Sequence, residues 1–322
     1  MDDGVILKRY PNNPILLPNI NNWWESRAVF NCAALYNGNR IHLLYRAIGE
    51  YENYISRIGY ASSSDGYTFN RRNEIAFDPI LEYEQFGIED PRLSQIEGQT
   101  YITYVVLSEH PKAGPGVSTA LAAVSKDYLN FERLGIITSE EMDNKDVVLF
   151  PERLSSNLNK DGKSYFCLHR PSSWIGKAYG IDRPSIWLGE LSTLTKLEHH
   201  TLLMKPEFKW ENLKIGAGPP PIKTKKGWLV IYHGVSIDRV YSAGAALLDL
   251  NDPGKIICRC NKPILTPTTE YEKYGDVNNV VFPTGLCNIE GELFIYYGGA
   301  DKFCCLATVE LNDLLEYIFQ NS

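Results

Sequence analysis

Five glycines divide this chain into nearly equal lengths. Gly38, Gly98, Gly162, Gly227 and Gly291 follow one another at steps of 60, 64, 65 and 64 residues. Each stands in a polar turn between two apolar runs: YNGNRIHLLY, IEGQTYITYV, KDGKSYFCLH, TKKGWLVIYH and IEGELFIYYG. A glycine flanked by polar residues between two such runs predicts a hairpin. A third run, rich in small residues, follows in every unit: IGYASS, ALAAVS, SIWLGE, GAALLDL and CCLATVEL. A fourth can be drawn after SSSDGYTF and SKDYLNF. Four antiparallel strands repeated five times predict an all-β fold, a five-bladed β-propeller formed as one domain by residues 1–322. A β-sandwich with chance regularity is the alternative. Only the last segment, LNDLLEYIFQ, reads as a helix. PILLP near the start resembles PILTP near residue 265, so the N-terminal segment is expected to complete the last blade.

A propeller fixes where chemistry can gather. The first strand of each blade lies nearest the axis, and the second runs antiparallel beside it. The start of the first and the end of the second therefore meet at one mouth of the channel. Starts read VFNCA, GIEDPR, VVLFPER, GAGPPP and VVFPTG; ends read YRAIG, YVVLS, LHRPS, YHGVS and YYGGAD. Polar groups, prolines and glycines concentrate there, where strand interiors disfavour Pro and Gly. Distant segments should converge on one concave site.

The formal charge of −7 gives no electrostatic reason to expect nucleic acid or an anionic membrane as partner. Any bound anion must be held by a local cluster of cations. The opening MDDGVILKRY does not read as a signal peptide, and no apolar run is long enough to cross a bilayer. The seven cysteines include no CxxC pair and are scattered through apolar runs, which argues for reduced core residues, against a zinc site, and for a cytoplasmic location. No P-loop or dinucleotide fingerprint occurs, and no cofactor or metal is expected.

GIEDPR, NKDVVLFPERL, LHRP, NLKIGAGPPPI, GWLVIYHGV, YSAGAALLDLNDP, NVVFPTG and YYGGAD, in this order, resemble glycoside hydrolase family 130. That family comprises mannoside phosphorylases and some mannosidases on five-bladed propellers. The likeness runs from NPILLP to the last blade. It implies a mannosyl-transferring phosphorylase that cleaves a β-mannoside with inversion, using inorganic phosphate as co-substrate and giving α-mannose 1-phosphate.

The resemblance implies that Asp90 is the general acid, delivering its proton through the 3-hydroxyl of the mannosyl unit. Burial beside Glu89 is expected to raise its pKa. It implies phosphate contacts from Arg170, Lys214, His233 and Tyr241: a planar fork, a point charge, a protonated imidazole and a hydroxyl. Asn31, Arg46 and Asp301 match positions that hold the mannosyl unit, with support from Glu89, Arg92 and Arg57. His110, Trp174 and Tyr179 are expected at the leaving-group side, and Trp228 in packing. Each residue alone has a plainer explanation, such as a solvated cation, a turn residue or a strand-end ion pair. The four phosphate positions occurring together favour phosphorolysis over hydrolysis.

Three other readings stay open on sequence. An inverting β-mannosidase would need a second carboxylate to activate water, with Glu152, Glu207 and Asp301 available. A non-catalytic glycan-binding propeller would have no need of Asp90 beside a cation cluster. An arabinanase-like hydrolase would leave the phosphate positions unexplained. The opening NPILLP…WWESRAVFN resembles family members that act on β-1,2 linkages, and this likeness favours β-1,2-mannobiose or short β-1,2-oligomannosides, with β-1,4-mannooligosaccharides and mannosylglucose open. A homo-oligomer is compatible with the family.

Overall fold

All five glycines mark the turn into the second strand of a four-stranded antiparallel unit, and all five have positive φ, from +73° to +151°. L side chains rarely adopt that region, which is why glycine recurs there. A computed structural model of the chain describes residues 6–108, 116–138 and 143–322. The strands form five sheets arranged as blades. Blade 1 runs Ala28–Tyr36, Ile41–Ile48, Ser56–Ser63 and Asn70–Arg71; blade 2 runs Ile88–Ile96, Gln99–Leu107, Val117–Val124 and Phe131–Ile136. Blade 3 runs Asn144–Leu149, Lys163–Pro171, Ile186–Thr193 and Lys196–Met204; blade 4 runs Lys214–Ala217, Gly227–Val235, Tyr241–Leu248 and Ile256–Arg259. In blade 5, Val281–Ile289, Glu292–Gly299 and Phe303–Glu310 are completed by Lys8–Arg9 from the N-terminus, in register with Thr308 and Ala307.

Strand periodicity of two sends alternate side chains to opposite faces, so each blade builds half of two cores. Leu43 and Tyr45 pack toward blade 5, and Leu44 between them packs toward blade 2. The remaining seams, between blades 2 and 3, 3 and 4, and 4 and 5, are filled in the same way. Trp228 lies wholly buried in the seam of blades 3 and 4, as expected. The C-terminal helix Leu311–Gln320 lays Leu314, Leu315 and Ile318 on the seam of blades 4 and 5. A second helix of one turn, Glu270–Lys273, was not expected from the sequence. No helix among the described residues is long and apolar enough to cross a membrane.

Four blades share a buried polar lock that the glycine spacing does not reveal. A glutamate in the short turn before the inner strand accepts from a tyrosine on the second strand and pairs with an arginine on the outer strand. In blade 1, Tyr45 donates to Glu25 at 2.8 Å and Arg71 lies 3.1 Å away. In blade 2, Tyr104 donates to Glu84 at 2.9 Å and Arg133 at 2.8 Å. Glu211, Tyr232 and Arg259 repeat the set in blade 4, and Glu272, Tyr297 and Arg9 in blade 5. Blade 3 differs. His169 takes the tyrosine's place and His200 the arginine's, joined at 3.1 Å. The segment 139–142, which precedes the inner strand of this blade, lies outside the described residues.

Candidate active site

The inner strands of blades 1, 2 and 3 carry a register slip at equivalent points, between Phe30 and Ala33, Glu89 and Arg92, and Lys145 and Val148. At each slip one residue takes a left-handed backbone: Asn31 (φ 48°), Asp90 (φ 47°) and Asp146 (φ 58°). Asn and Asp tolerate this region better than most residues. Such bulges re-aim a side chain out of the ladder; here three polar side chains enter one cavity at the mouth, of about 140 Å³.

Blades 1, 2 and 5 form one wall of this cavity: Asn31, Arg46, Glu89, Asp90 and Asp301. Blades 3 and 4 form the other: Lys145, Asp146, Arg170, Lys214, His233 and Tyr241, with Phe282 of blade 5 beside them. Three lining residues occupy one rung of the second strand, directly after the lock position: Arg46, Arg170 and His233 follow Tyr45, His169 and Tyr232.

On the first wall Asp90 Oδ1 accepts from Asn31 Nδ2 at 2.8 Å and from Arg46 Nη1 at 3.3 Å. Among the described residues Oδ2 receives no donor. Arg46 also pairs with Glu89 and donates to Ser56 at 2.9 Å. The expectation of a raised Asp90 pKa is corrected. Burial does push it up, but Arg46, Arg92 and the Asn31 hydrogen bond together outweigh burial and hold it below the usual range. Asp301 goes the other way. Burial, with Asp90, Asp276 and Glu89 nearby, pushes it up to about 7 despite Arg46. At neutral pH Asp301 is therefore partly protonated, while Asp90 is ionised.

On the second wall Arg170 Nε donates to Asp146 Oδ2 at 2.7 Å and Nη1 to Ser172 Oγ at 3.1 Å. Lys214 is pushed down to about 8, by burial first and then by Arg170 and Lys145; it stays mostly charged at neutral pH. Its Nζ sits 5.3 Å from the centre of the Tyr241 ring. His233 is not the protonated cation expected. Burial lowers it to about 3, against the attraction of Asp146 and helped by Arg170 and Lys214. It is a neutral imidazole, and its Nδ1 has no partner among the described residues.

Other expectations are placed differently. Arg92 does not line the cavity. It is buried behind Asp90, donates to the Asp90 carbonyl at 2.9 Å and reaches across the axis to the Gly218 carbonyl at 2.7 Å. Arg57 pairs with Asp78 at 3.0 Å, away from the cavity. Glu152 pairs with Lys223, and Glu207 lies 3.8 Å from Arg259; neither reaches the cavity. Trp174 and Tyr179 stack on each other, centroids 5.4 Å apart, and edge onto Trp187 instead of lining the cavity. Their loop contributes Ile175, Asp182, Arg183 and Pro184 to an adjoining groove of about 360 Å³ that shares Lys214 and Tyr241 with the cavity. His110 lies outside the described residues. Lys145, Asp146 and Phe282 were missed. Lys145 and Asp146 lie in NKDVVLFPER, but only the ladder register shows that Asp146 and Asp90 occupy equivalent slips.

Known proteins resemble this chain in sequence and fold. The sequence model of glycoside hydrolase family 130, described as β-1,4-mannooligosaccharide phosphorylase, matches residues 7–320. The chain is 39% identical over 316 residues to a 1,2-β-oligomannan phosphorylase of Thermoanaerobacter sp. (strain X514), covering 96% of this chain and 99% of the relative. It is 36% identical to a β-1,2-mannobiose phosphorylase of the same organism, covering 94% and 97%. The solved β-1,2-mannobiose phosphorylase of Listeria innocua, in complex with β-1,2-mannobiose, superposes with a TM-score of 0.84 at 29% identity, covering 98% of this chain and 99% of that one.

Proposed function

Because this chain belongs to glycoside hydrolase family 130, we propose that it is a mannoside phosphorylase, cleaving β-1,2-linked mannobiose or oligomannosides with inorganic phosphate to α-mannose 1-phosphate. The observation that carries this reading is that Arg170, Lys214, His233 and Tyr241 share one cavity with Asp90. The family description names β-1,4-linked substrates. The relatives at 39% and 36% identity over nearly the whole chain act on β-1,2 linkages, and that favours the β-1,2 assignment.

The two walls divide the work. Asn31, Arg46 and Asp301 hold the mannosyl unit, and the cationic wall aims phosphate at the anomeric carbon from the face opposite the leaving oxygen. One displacement then inverts the centre. Phosphate is itself an anionic nucleophile, so no second carboxylate is required as a base. Asp90 supplies the proton from Oδ2, the oxygen left without a donor. Its pKa must rise for this. An arriving phosphate anion acts in that direction, because a like charge disfavours ionisation. Arg92 acts through Asp90 by fixing the backbone behind it. The adjoining groove of the 171–184 loop takes the departing sugar. The seven cysteines, all unpaired and buried, fit a cytoplasmic enzyme.

Incubation with β-1,2-mannobiose, with and without phosphate, tests the reading. Mannose 1-phosphate should form only with phosphate; equal release of free mannose in its absence would replace phosphorolysis by hydrolysis. Asp90→Asn should lower kcat by about 10²–10⁴, the range of general acid catalysis.

A further inference from the structure

An anion site normally excludes carboxylates, yet Asp146 stands among the cations of this one. It is 3% exposed. Its Oδ2 accepts from Arg170 Nε at 2.7 Å. The other nearby nitrogens, His233 Nε2 at 3.7 Å and Arg92 Nη2 at 3.9 Å, are beyond hydrogen-bond reach. Among the described residues the carboxylate thus takes a single hydrogen bond, although two oxygens offer several acceptor positions. The site is built around it. Asp146 is held in a left-handed conformation, and Gly216 makes room for it: a Cβ there would lie 2.2 Å from Asp146 Oδ2 and 2.4 Å from His233 Cε1. Against burial, Arg170, Arg92 and Lys145 keep the acid ionised.

A buried carboxylate with unused acceptor capacity is complementary to a donor. Phosphate at neutral pH always carries at least one P–OH; sulfate carries none. We propose that Asp146 selects the protonated oxyanion, accepting the hydrogen of the P–OH while Arg170, Lys145 and Lys214 bind the remaining oxygens. Sulfate would bring an acceptor against an acceptor. Asp146 also ties down Arg170 Nε, and Ser172 takes Nη1, which leaves Nη2 to face the anion. This selection deepens the phosphorolysis reading and rests on it.

The test titrates phosphate, arsenate and sulfate into the intact protein by calorimetry, and in parallel measures sulfate as a competitor of phosphate in β-1,2-mannobiose cleavage. Wild type should bind phosphate and arsenate comparably and reject sulfate by roughly 10⁴-fold, the scale on which a site built around a substrate hydroxyl rejects an analogue lacking it. In Asp146→Asn the carboxamide can donate as well as accept. Sulfate binding should strengthen by about tenfold or more while phosphate weakens by a similar factor, so the selectivity ratio collapses. A purely structural Asp146 would weaken both anions alike and leave that ratio unchanged. Sulfate bound by wild type as tightly as phosphate, or an unaltered ratio in the variant, overturns the proposal. If the variant does not fold, the wild-type ratio decides alone. Tight, selective phosphate binding without phosphate-dependent cleavage would sink the phosphorolysis reading instead and leave the selectivity standing.

Discussion

Blade 3 and blade 2 are built on the same strand order, yet they hold themselves together differently. Blade 2 ties inner turn, second strand and outer strand through Glu84, Tyr104 and Arg133, all within 2.9 Å of the shared carboxylate. Blade 3 has the neutral pair His169 and His200 at the tyrosine and arginine positions. His169 directly precedes Arg170, and Asn144, its other partner at 3.1 Å, directly precedes Lys145 and Asp146. The blade that breaks the lock is the one that supplies half of the cationic wall. Two neutral imidazoles hold these strands beside the anion wall, whereas blade 4 keeps its charged lock of Glu211, Tyr232 and Arg259, with Tyr232 directly before His233 in the same wall. Carrying cavity residues does not by itself cost a blade its charged lock, since blades 1, 2 and 4 keep theirs; blade 3 is the exception.

The largest expected effect comes from breaking a lock. Glu84→Ala strands Arg133 and the Tyr104 hydroxyl in a buried site and should cost about 3–5 kcal/mol of unfolding free energy, measured by urea denaturation. His200→Ala in blade 3 removes one neutral hydrogen bond and should cost only about 1–2 kcal/mol. Equal losses would erase the distinction between the blades. Lys214→Ala gives the opposite profile. Phosphate KM should rise on the order of 10–100-fold, one charge-assisted contact. Unfolding free energy should hold or increase, because burial and Arg170 disfavour the ammonium in the folded protein.

Acid sharpens the contrast at smaller scale. His169 is pushed down to about 3 by burial and then by His200. The unfolded chain therefore takes up a proton near the ordinary histidine value that the folded chain refuses until about pH 3. The stability linked to this histidine is complete above the ordinary value and is lost as pH falls below it, by up to about 1.4 kcal/mol per pH unit. His233, also near 3, and His42, near 4, add to the slope. His169→Gln should shrink the loss between pH 7 and 5 by about 2 kcal/mol. The blade 2 lock contributes nothing in that window. Burial pushes Tyr104 far up, while Arg133 and two backbone donors outweigh burial and hold Glu84 down, so neither changes charge. An unchanged slope in His169→Gln would remove blade 3 as the acid-sensitive part.

The propeller was legible because hairpins need glycine at φ > 0 and need it once per blade. Five glycines fixed blade number, strand order and mouth. The locks left a fainter trace: an aromatic residue before a glutamate, in Trp24–Glu25, Tyr83–Glu84, Trp210–Glu211 and Tyr271–Glu272, meaningful only once those glutamates are seen to meet tyrosines from a later strand. Residues that enter the cavity were found where a quoted motif marked them, as with Asp90 and Arg170. Asp146 was missed because its slip is set by ladder register, which no local pattern displays. The charge states of Asp90 and His233 were misjudged for a related reason. Both depend on surroundings drawn from several blades: cations outweigh burial at Asp90, and burial keeps His233 neutral.

The smallest prediction asks whether blade 3 departs from the repeat throughout or only at the lock. Its hairpin glycine gives the answer. Gly162 has φ +73°, Gly98 in blade 2 has φ +83°, and at both a Cβ would meet no atom within 4 Å. Substitution by alanine therefore introduces no clash, and the cost is the left-handed backbone alone, about 1 kcal/mol. Gly98→Ala and Gly162→Ala should shift urea midpoints equally and leave phosphate KM untouched. A much larger cost at Gly162 would mean that blade 3 leans on its hairpin to compensate for the missing lock. Equal costs confine the departure to the two histidine rungs, next to the residues that face the anion.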